Sequence, residues 1–324
     1  MKKYIPINKG HFELDTAERS ASFSGKLAYG WESEYREYRR LWIDLPKTRT
    51  VRNYPLLVDL ELSSICNLHC PMCYTLTDEF RQKVTKGLMD FALVQKIISE
   101  IAGKVYSVRL SLRGEPTLHP DFVKAIEFAK KSGIREVSFL TNGSTLTLEN
   151  FIGISKAGAD WITVSIDGTD NEYNAIRMPL KFDETLEKLR QIAEYKKNHG
   201  LVKPVIKVQG IWPAIRPNPE KYYNTLAPVS DLVAFNPLID YLRKDHDIIY
   251  EERFACPQIY QRLAICSDGL AMMCANDEAG DQIIGNSEVS TVHELWHSAE
   301  MQSRRKIHER TDGFKEFSIC LNCF

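Results

Sequence analysis

Segments with the character of β-strands and of α-helices alternate along the chain between about residues 56 and 240. Short runs of apolar and β-branched residues predict six strands, at 56–62, 107–112, 136–140, 161–165, 205–211 and 232–235. Apolar residues at intervals of three or four predict helices between them, near 90–102, 120–132, 147–157, 182–199 and 217–226. This alternation favours parallel β/α units with right-handed crossovers, and six units are too few to close an eight-stranded barrel. We expect the functional groups at the carboxyl ends of the strands.

Three cysteines, Cys66, Cys70 and Cys73, follow the first predicted strand with the spacing C-x3-C-x2-C. Three thiolates on one tight loop can ligate three irons of a [4Fe–4S] cluster and leave the fourth iron open to a small molecule, whereas four cysteine ligands favour electron transfer. A structural zinc site is an alternative, although zinc favours paired C-x2-C units and His69 would be an awkward fourth ligand in the same loop. Buried free thiols are the other alternative.

This loop resembles the signature of the radical S-adenosylmethionine (radical SAM) enzymes. The resemblance implies an α/β fold with a partial (β/α)6 barrel. It also implies that the open iron binds SAM, and that the reduced cluster cleaves SAM to a 5′-deoxyadenosyl radical that abstracts a substrate hydrogen. In the family an aromatic residue that contacts adenine often precedes the third cysteine. Here that position is Met72, whose thioether can pack on a purine ring.

Further motifs at the predicted strand ends resemble the SAM contacts of the family. The residues that the resemblance assigns to SAM, besides Met72, are Gly114, Glu115, Thr141, Asn142, Ser165, Asp167, Arg177 and Gln209. A carboxylate suits SAM's ammonium, a hydroxyl suits its ribose, and an arginine fork suits its carboxylate. Arg113 replaces the first glycine of the family's Gly-Gly-Glu-type motif. Without the resemblance, Gly-Glu-Pro and Asp-Gly read as ordinary turns, and Arg177 reads as an exposed helix residue.

A second group of cysteines lies near the end of the sequence. The spacing C-x12-G-x4-C, followed after a gap by C-x2-C, resembles the auxiliary-cluster modules called SPASM and twitch. The resemblance implies an auxiliary [4Fe–4S] cluster held by Cys256, Cys274, Cys320 and Cys323. A zinc site with the same four ligands is the alternative.

Cys266 is the one cysteine that neither group uses. A packing role is the ordinary interpretation, since most free cysteines behave as small buried hydrophobes. The functional alternative is a thiol that returns a hydrogen atom to a substrate radical and so inverts a stereocentre. A third is that Cys266 replaces Cys256 as a ligand.

Composition limits the partners and the compartment. The net charge of −1 gives no electrostatic reason to expect nucleic acid or an acidic membrane surface. No apolar run approaches the ~20 residues that span a bilayer, and the N-terminus does not read as a secretory signal. Eight cysteines without an export signal favour metal ligation over disulfides, so we expect a cytoplasmic protein.

We predict three regions: an N-terminal helical extension over 1–53, a radical SAM barrel over 54–247, and a small cysteine-rich α+β auxiliary domain over 248–324. The resemblance implies oxidation or epimerisation of a polar small molecule of the sugar or aminocyclitol type, with Asn236 and Asp240 as candidate substrate contacts. It also implies a reducing electron donor such as flavodoxin or ferredoxin. Peptide modification is the alternative reaction. The alternative to an enzyme is a non-catalytic iron–sulfur or zinc binding module.

Overall fold

Ten strands form one sheet within residues 12–236 and 256–321, which are the residues that this computed structural model describes. The strands are β1 (Phe12–Glu13), β2 (Leu57–Leu60), β3 (Ser107–Arg109), β4 (Glu136–Thr141), β5 (Trp161–Ser165), β6 (Val205–Ile211), β7 (Leu232–Asn236), β8 (Arg262–Ile265), β9 (Leu270–Met272) and β10 (Ile283–Asn286). Their order across the sheet is β1-β7-β6-β5-β4-β3-β2-β8-β9-β10. From β7 to β8 all neighbours are parallel, so their carboxyl ends form one edge.

The helices connect these strands and cover the sheet. In the same described residues they are α1 (Ala17–Ala28), α2 (Glu32–Thr48), α3 (Asp78–Lys83), α4 (Phe91–Ile101), α5 (Phe122–Lys131), α6 (Leu148–Ala157), α7 (Asp170–Ile176), α8 (Phe182–Asn198), α9 (Trp212–Ile215), α10 (Pro219–Leu226), α11 (Gln258–Gln261), α12 (Val292–Trp296), α13 (Ala299–His308) and α14 (Ser318–Leu321). Among them no helix is long and apolar enough to cross a membrane.

The six predicted strands are β2 to β7, which confirms the predicted α/β fold with a partial barrel of six parallel strands. β2 and β3 are shorter than predicted, since they end at Leu60 and Arg109. Beyond those ends the side chains of Glu61 and Arg113 pair with each other. Every residue of β2 is buried, as expected for a strand covered on both faces.

The N-terminal helices cover the amino-terminal end of the barrel. Phe23 of α1 packs edge-on against Trp161, the first residue of β5, with ring centroids 5.5 Å apart. Tyr38 of α2 lies 5.3 Å from Tyr106, which directly precedes β3. The sequence predicted a helical extension over 1–53 without separating its two helices. α1 begins after a cap at Thr16, whose side chain accepts a bond from the Arg19 N–H. These helices therefore lie opposite the edge that carries the cysteine loop.

The C-terminal segment continues the barrel sheet. β8 pairs in parallel with β2, and β9 and β10 follow as antiparallel strands. A strand-rich, cysteine-containing region thus adjoins the first barrel strand. The predicted boundary at 247/248 lies outside the described residues, and the boundaries of all three regions stay a prediction.

Candidate functional site at the carboxyl edge

The loop that carries Cys66, Cys70 and Cys73 begins where β2 ends at the carboxyl edge of the sheet. Cys70 is buried, and Cys66 and Cys73 are half-buried. The Cys73 N–H donates to the Cys70 carbonyl at 2.8 Å, which forms a turn between the second and third cysteines. The Leu68 N–H points at the Cys66 Sγ at 3.5 Å. The loop therefore holds three thiols on one tightly folded segment.

Gly114 allows the loop after β3 to approach the start of the cysteine loop. A Cβ atom at this position would lie 2.5 Å from the carbonyl oxygens of Ser63 and Ile65, both backbone atoms that have no room to move aside. The next residue, Glu115, donates its N–H to the Ile65 oxygen at 2.8 Å. Glycine is thus required here for backbone packing. Its predicted contact with SAM stays a prediction.

Glu115 joins the loop after β3 to the end of β4 by side-chain hydrogen bonds. Its Oε1 accepts from the hydroxyls of Thr117 at 2.6 Å and Thr141 at 2.7 Å, and its Oε2 accepts from the Asn142 N–H at 2.7 Å. Burial raises the pKa of this carboxyl, and the same hydrogen bonds partly oppose that effect. Oε2 retains acceptor capacity for an ammonium, so the geometry is compatible with the predicted role in binding SAM.

Asn142 connects the third strand end to the cysteine loop, a contact that sequence reasoning missed. Its Nδ2 donates to the Asn67 Oδ1 at 2.9 Å and lies 3.7 Å from the Cys66 Sγ. Asn67 in turn donates to the Ser144 Oγ at 3.0 Å. The Thr-Asn-Gly turn therefore supports the first thiol, and the predicted contacts of Thr141 and Asn142 with SAM stay a prediction.

Arg177 and Asp167 are paired with each other. The Arg177 Nε and Nη2 both lie 2.6 Å from the Asp167 Oδ2, while the Ile211 N–H donates to Oδ1 at 2.9 Å. Burial raises the pKa of Cys70 to about 11, and the Arg177 cation acts in the opposite direction. The sequence assigned these two residues to different parts of SAM and gave no signal of their pairing. Arg177 is half-buried, with 14% of its side chain exposed, and lies close enough to the loop to act on Cys70.

The remaining predicted SAM contacts lie along the same edge. Ser165 ends β5 and is the register partner of Gln209 on β6. Met72 is half-buried beside the third cysteine. Asn236 ends β7, whereas Asp240 lies outside the described residues.

Glu61 and Arg113 form a buried ion pair that sequence reasoning missed. The Arg113 Nε and Nη2 each donate to one Glu61 carboxylate oxygen at 2.7 Å, with side-chain exposures of 3% and 0%. The Ser267 N–H donates to the same carboxylate at 2.9 Å. The Arg113 Nη1 reaches the Glu278 carbonyl at 3.3 Å. The residue that replaces the family's glycine thus connects the first two barrel strands to the C-terminal segment.

The donor set of the loop fits an iron–sulfur cluster. Thiols are the ligands that such clusters use. The three are close together, because the Cys73 charge raises the pKa of both Cys66 and Cys70, and the Cys66 charge also raises that of Cys70. Within 12–236 and 256–321, no three His, Cys, Asp or Glu side chains already stand in a metal-binding arrangement. Metal binding and ordering of the ligands are coupled at many sites, because a preformed site rarely exists before the metal binds.

The auxiliary cysteines lie in the C-terminal segment. Cys256 and Cys274 are buried, Cys320 is half-buried on α14, and Cys323 lies outside the described residues. Burial raises the pKa of Cys256 to about 11, against the effect of the Gln258 and Ile259 N–H groups that point at its sulfur. These thiols suit either an iron–sulfur cluster or zinc.

Cys266 follows β8 and is 2% exposed. Its side chain packs with Ala264, Met272 and Ala275, and Leu112 borders the same small cluster. Burial raises the pKa of the Cys266 thiol well above its ordinary value. These surroundings match the packing interpretation of this residue.

Comparisons with known proteins agree with this geometry. The family model described as Radical SAM superfamily matches residues 60–210, and the one described as an iron–sulfur cluster-binding domain, SPASM, matches residues 256–324. The tungsten-containing aldehyde ferredoxin oxidoreductase cofactor-modifying protein of Pyrococcus furiosus is 31% identical over 153 residues, which is 46% of this chain and 42% of that protein. The chain spans less than half the length of the curated relatives that it matches.

Solved structures show the same fold. The structure of BtrN in complex with AdoMet and 2-DOIA has a TM-score of 0.58 at 16% identity and covers 85% of this chain and 94% of that one. SuiB of Streptococcus suis bound to the precursor peptide SuiA has a TM-score of 0.58 at 15% identity and covers 90% of this chain and 74% of that one.

Proposed function

Since this chain belongs to the radical SAM superfamily and carries a SPASM-type iron–sulfur cluster-binding domain, we propose that it is an oxidoreductase that removes a hydrogen atom from a small polar substrate and leaves that substrate oxidised. Enzymes of this superfamily use a reductant together with their substrate. The single observation that carries the choice of oxidation is the packing of Cys266.

Two sets of cysteines would hold the cofactors. Cys66, Cys70 and Cys73 would hold the cluster that binds SAM, and Cys256, Cys274, Cys320 and Cys323 would hold the auxiliary cluster. When bound, these groups supply a carbon-centred radical that abstracts hydrogen and an acceptor for the substrate's remaining electron.

The residues at the carboxyl edge would bind and orient SAM. Glu115 keeps one carboxylate oxygen with a single hydrogen bond, which suits the ammonium of the methionine part. Arg177 uses two of its three nitrogens on Asp167, so its third nitrogen is available for the SAM carboxylate. Ser165, at the end of β5, lies beside Gln209, two residues before the end of β6, and their polar groups suit the ribose and the adenine.

Cys266 distinguishes oxidation from epimerisation. An epimerase needs a hydrogen donor that reaches the substrate radical. The Cys266 thiol is 2% exposed among apolar side chains, so a substrate carbon would reach it only if that cluster opened. Without a donor, the radical loses a proton and an electron, and the substrate becomes oxidised.

A peptide is the alternative to a small polar substrate. α1 and α2 pack on the amino-terminal end of the barrel, opposite the edge where SAM would bind. SuiB, which shares the fold, was solved with a precursor peptide. Peptide modification is therefore the alternative outcome of the test below.

The test is substrate-dependent formation of 5′-deoxyadenosine under anaerobic conditions. Reconstituted protein, reduced with dithionite, is incubated in D2O with SAM and panels of sugars, aminocyclitols and short peptides. We expect a sugar or aminocyclitol product that is 2 Da lighter than its substrate and contains no deuterium. A product 1 Da heavier than its substrate, with one deuterium at an inverted carbon, would indicate epimerisation, and a modified peptide would refute the small-substrate proposal.

Two variants act as controls. Cys266→Ala should still form the oxidised product, whereas an epimerase would lose its activity with this change. Cys70→Ala should form no 5′-deoxyadenosine with any substrate. If the wild-type protein also forms none, the non-catalytic alternative is the correct one.

A further inference from the structure

A buried histidine lies against one of the auxiliary cysteines. His308, the last residue of α13, is 2% exposed, and its Nε2 lies 4.0 Å from the Cys320 Sγ. Its ring stacks on Phe317 with an interplanar angle of 10° and centroids 5.1 Å apart, which fixes the ring plane. The Nδ1 atom is buried, and no residue in the described ranges forms a hydrogen bond with it.

The helix that carries His308 is also attached to the turn of Cys256. Arg305, one helical turn earlier on α13, donates from Nε to the Ile259 carbonyl at 3.0 Å and from Nη1 to the Trp296 carbonyl at 2.7 Å. The Ile259 N–H points at the Cys256 sulfur. α13 therefore contacts the Cys256 turn through Arg305 and Cys320 through His308.

The chemistry of the ligand decides the direction of the hydrogen bond. A cysteine that ligates a metal is a thiolate, so its sulfur carries no hydrogen and can only accept. The nitrogen that faces it must therefore carry the proton. A proton on Nδ1 instead would leave a buried N–H without an acceptor, which is a costly arrangement.

We propose that His308 donates a hydrogen bond from its Nε2–H to the Cys320 thiolate and thereby makes the auxiliary cluster easier to reduce. His308 is a positioning residue that acts through Cys320. Hydrogen bonds to the sulfurs of a cluster help to set its reduction potential, since they stabilise the more negative, reduced state. The inference rests on the proposed function only in that the auxiliary cluster accepts an electron from the substrate.

The experiment is a redox titration of the auxiliary cluster, followed by electron paramagnetic resonance. The full-length chain carries Cys66→Ala, Cys70→Ala and Cys73→Ala, so that the SAM-binding cluster gives no signal. In this background His308→Phe keeps a ring on Phe317 but has no donor, and His308→Gln keeps an N–H near the Nε2 position. His199→Phe, at the exposed end of α8, is the matched control.

We expect His308→Phe to lower the equilibrium constant for reduction of the auxiliary cluster about tenfold. For a one-electron couple this is a shift of about 59 mV to a more negative reduction potential. His308→Gln and His199→Phe should stay close to the unchanged protein. If His308→Phe folds poorly, Phe317→Leu frees the His308 ring from its stacking partner and should shift the potential in the same direction by less. Iron content and the melting temperature of the metal-free chain show that the cluster and the fold are intact.

Three results would overturn the proposal. The first is an unchanged potential in His308→Phe. The second is a shift in His308→Gln as large as in His308→Phe. The third is loss of iron or binding of zinc in His308→Phe with a normal melting temperature, which would make His308 a metal ligand. The titration uses neither SAM nor substrate, so its outcome is independent of whether the proposed oxidation occurs.

Discussion

Replacing Arg113 with methionine tests whether the buried ion pair holds the C-terminal segment on the barrel. Methionine is close to arginine in length and unbranched, but has neither its charge nor its N–H donors. The change removes two donors at 2.7 Å from the Glu61 carboxylate. It leaves the backbone N–H groups of Arg113 at 3.2 Å and Ser267 at 2.9 Å as the remaining partners.

The expected cost follows from the burial of Glu61. Its side chain is fully buried, so water cannot replace the lost donors. Two hydrogen bonds to a charged group contribute about 1.5–3 kcal/mol each. Breaking a buried ion pair by removing one partner costs about 3–5 kcal/mol, which agrees with that sum. We therefore expect the free energy of unfolding to fall by about 3–5 kcal/mol, or roughly two to four orders of magnitude in the folded-to-unfolded ratio.

The assay is urea unfolding under anaerobic conditions, monitored by circular dichroism and tryptophan fluorescence, whose curves must coincide. Glu61→Gln in the Arg113→Met background removes the unpaired charge but keeps an acceptor oxygen for only one of the two backbone donors, so it should recover part of the loss. Arg40→Met, which breaks two exposed ion pairs on α2, with Glu37 and with Asp44, should have no measurable effect. A cost below about 1 kcal/mol for Arg113→Met, or no coupling in the double-mutant cycle, would refute this reasoning.

Three further predictions concern single residues of the barrel. Burial lowers the pKa of Lys207 to about 7, so between about pH 7 and 10 the unfolded state binds more protons than the folded state. The free energy of unfolding should therefore rise by up to about 4 kcal/mol over this pH range. In urea titrations, Lys207→Met should flatten this dependence of stability on pH. Gly114→Ala should displace the cysteine loop, and a colorimetric assay should then show the loss of about half of the bound iron. Gly87→Ala is the control and should retain all of its iron, since a Cβ atom there meets nothing within 4 Å. Thr141→Val should lower the free energy of unfolding by about 1–3 kcal/mol, because the buried Glu115 loses a hydrogen-bond donor. An unchanged urea midpoint would contradict this and show that the remaining hydrogen bonds of Glu115 are enough to stabilise it.

The strands and the cysteine loop could be predicted from the sequence because their signals are local. A short apolar run with β-branched residues predicts a strand wherever its partners lie, and all six predicted strands are present. The spacing of Cys66, Cys70 and Cys73 likewise needs no knowledge of the fold. The predicted residues from Gly114 to Gln209 lie at one edge because parallel strands bring their carboxyl ends together.

The pairing of polar side chains could not be predicted in the same way. Arg177 and Asp167 are only ten residues apart, yet each was assigned a separate part of SAM. The partners of Glu115 lie as far as 27 residues away on another strand end. A sequence states which groups can donate and accept, but several acceptors lie within reach of each donor once the edge forms. The choice among them depends on side-chain distances that only the folded chain fixes.

The replacement of glycine by Arg113 follows from the position of β8. Because β8 pairs with β2, the Ser267 N–H points at the Glu61 carboxylate from the C-terminal segment. That carboxylate is buried between two strand ends, and a buried charge without an opposite charge is costly. A glycine at position 113 would supply only its backbone N–H, whereas the arginine supplies the charge and reaches the Glu278 carbonyl in the same segment. Arg113, Glu61 and β8 therefore form one structural unit, and a change to any one of them should alter how the auxiliary region sits on the barrel.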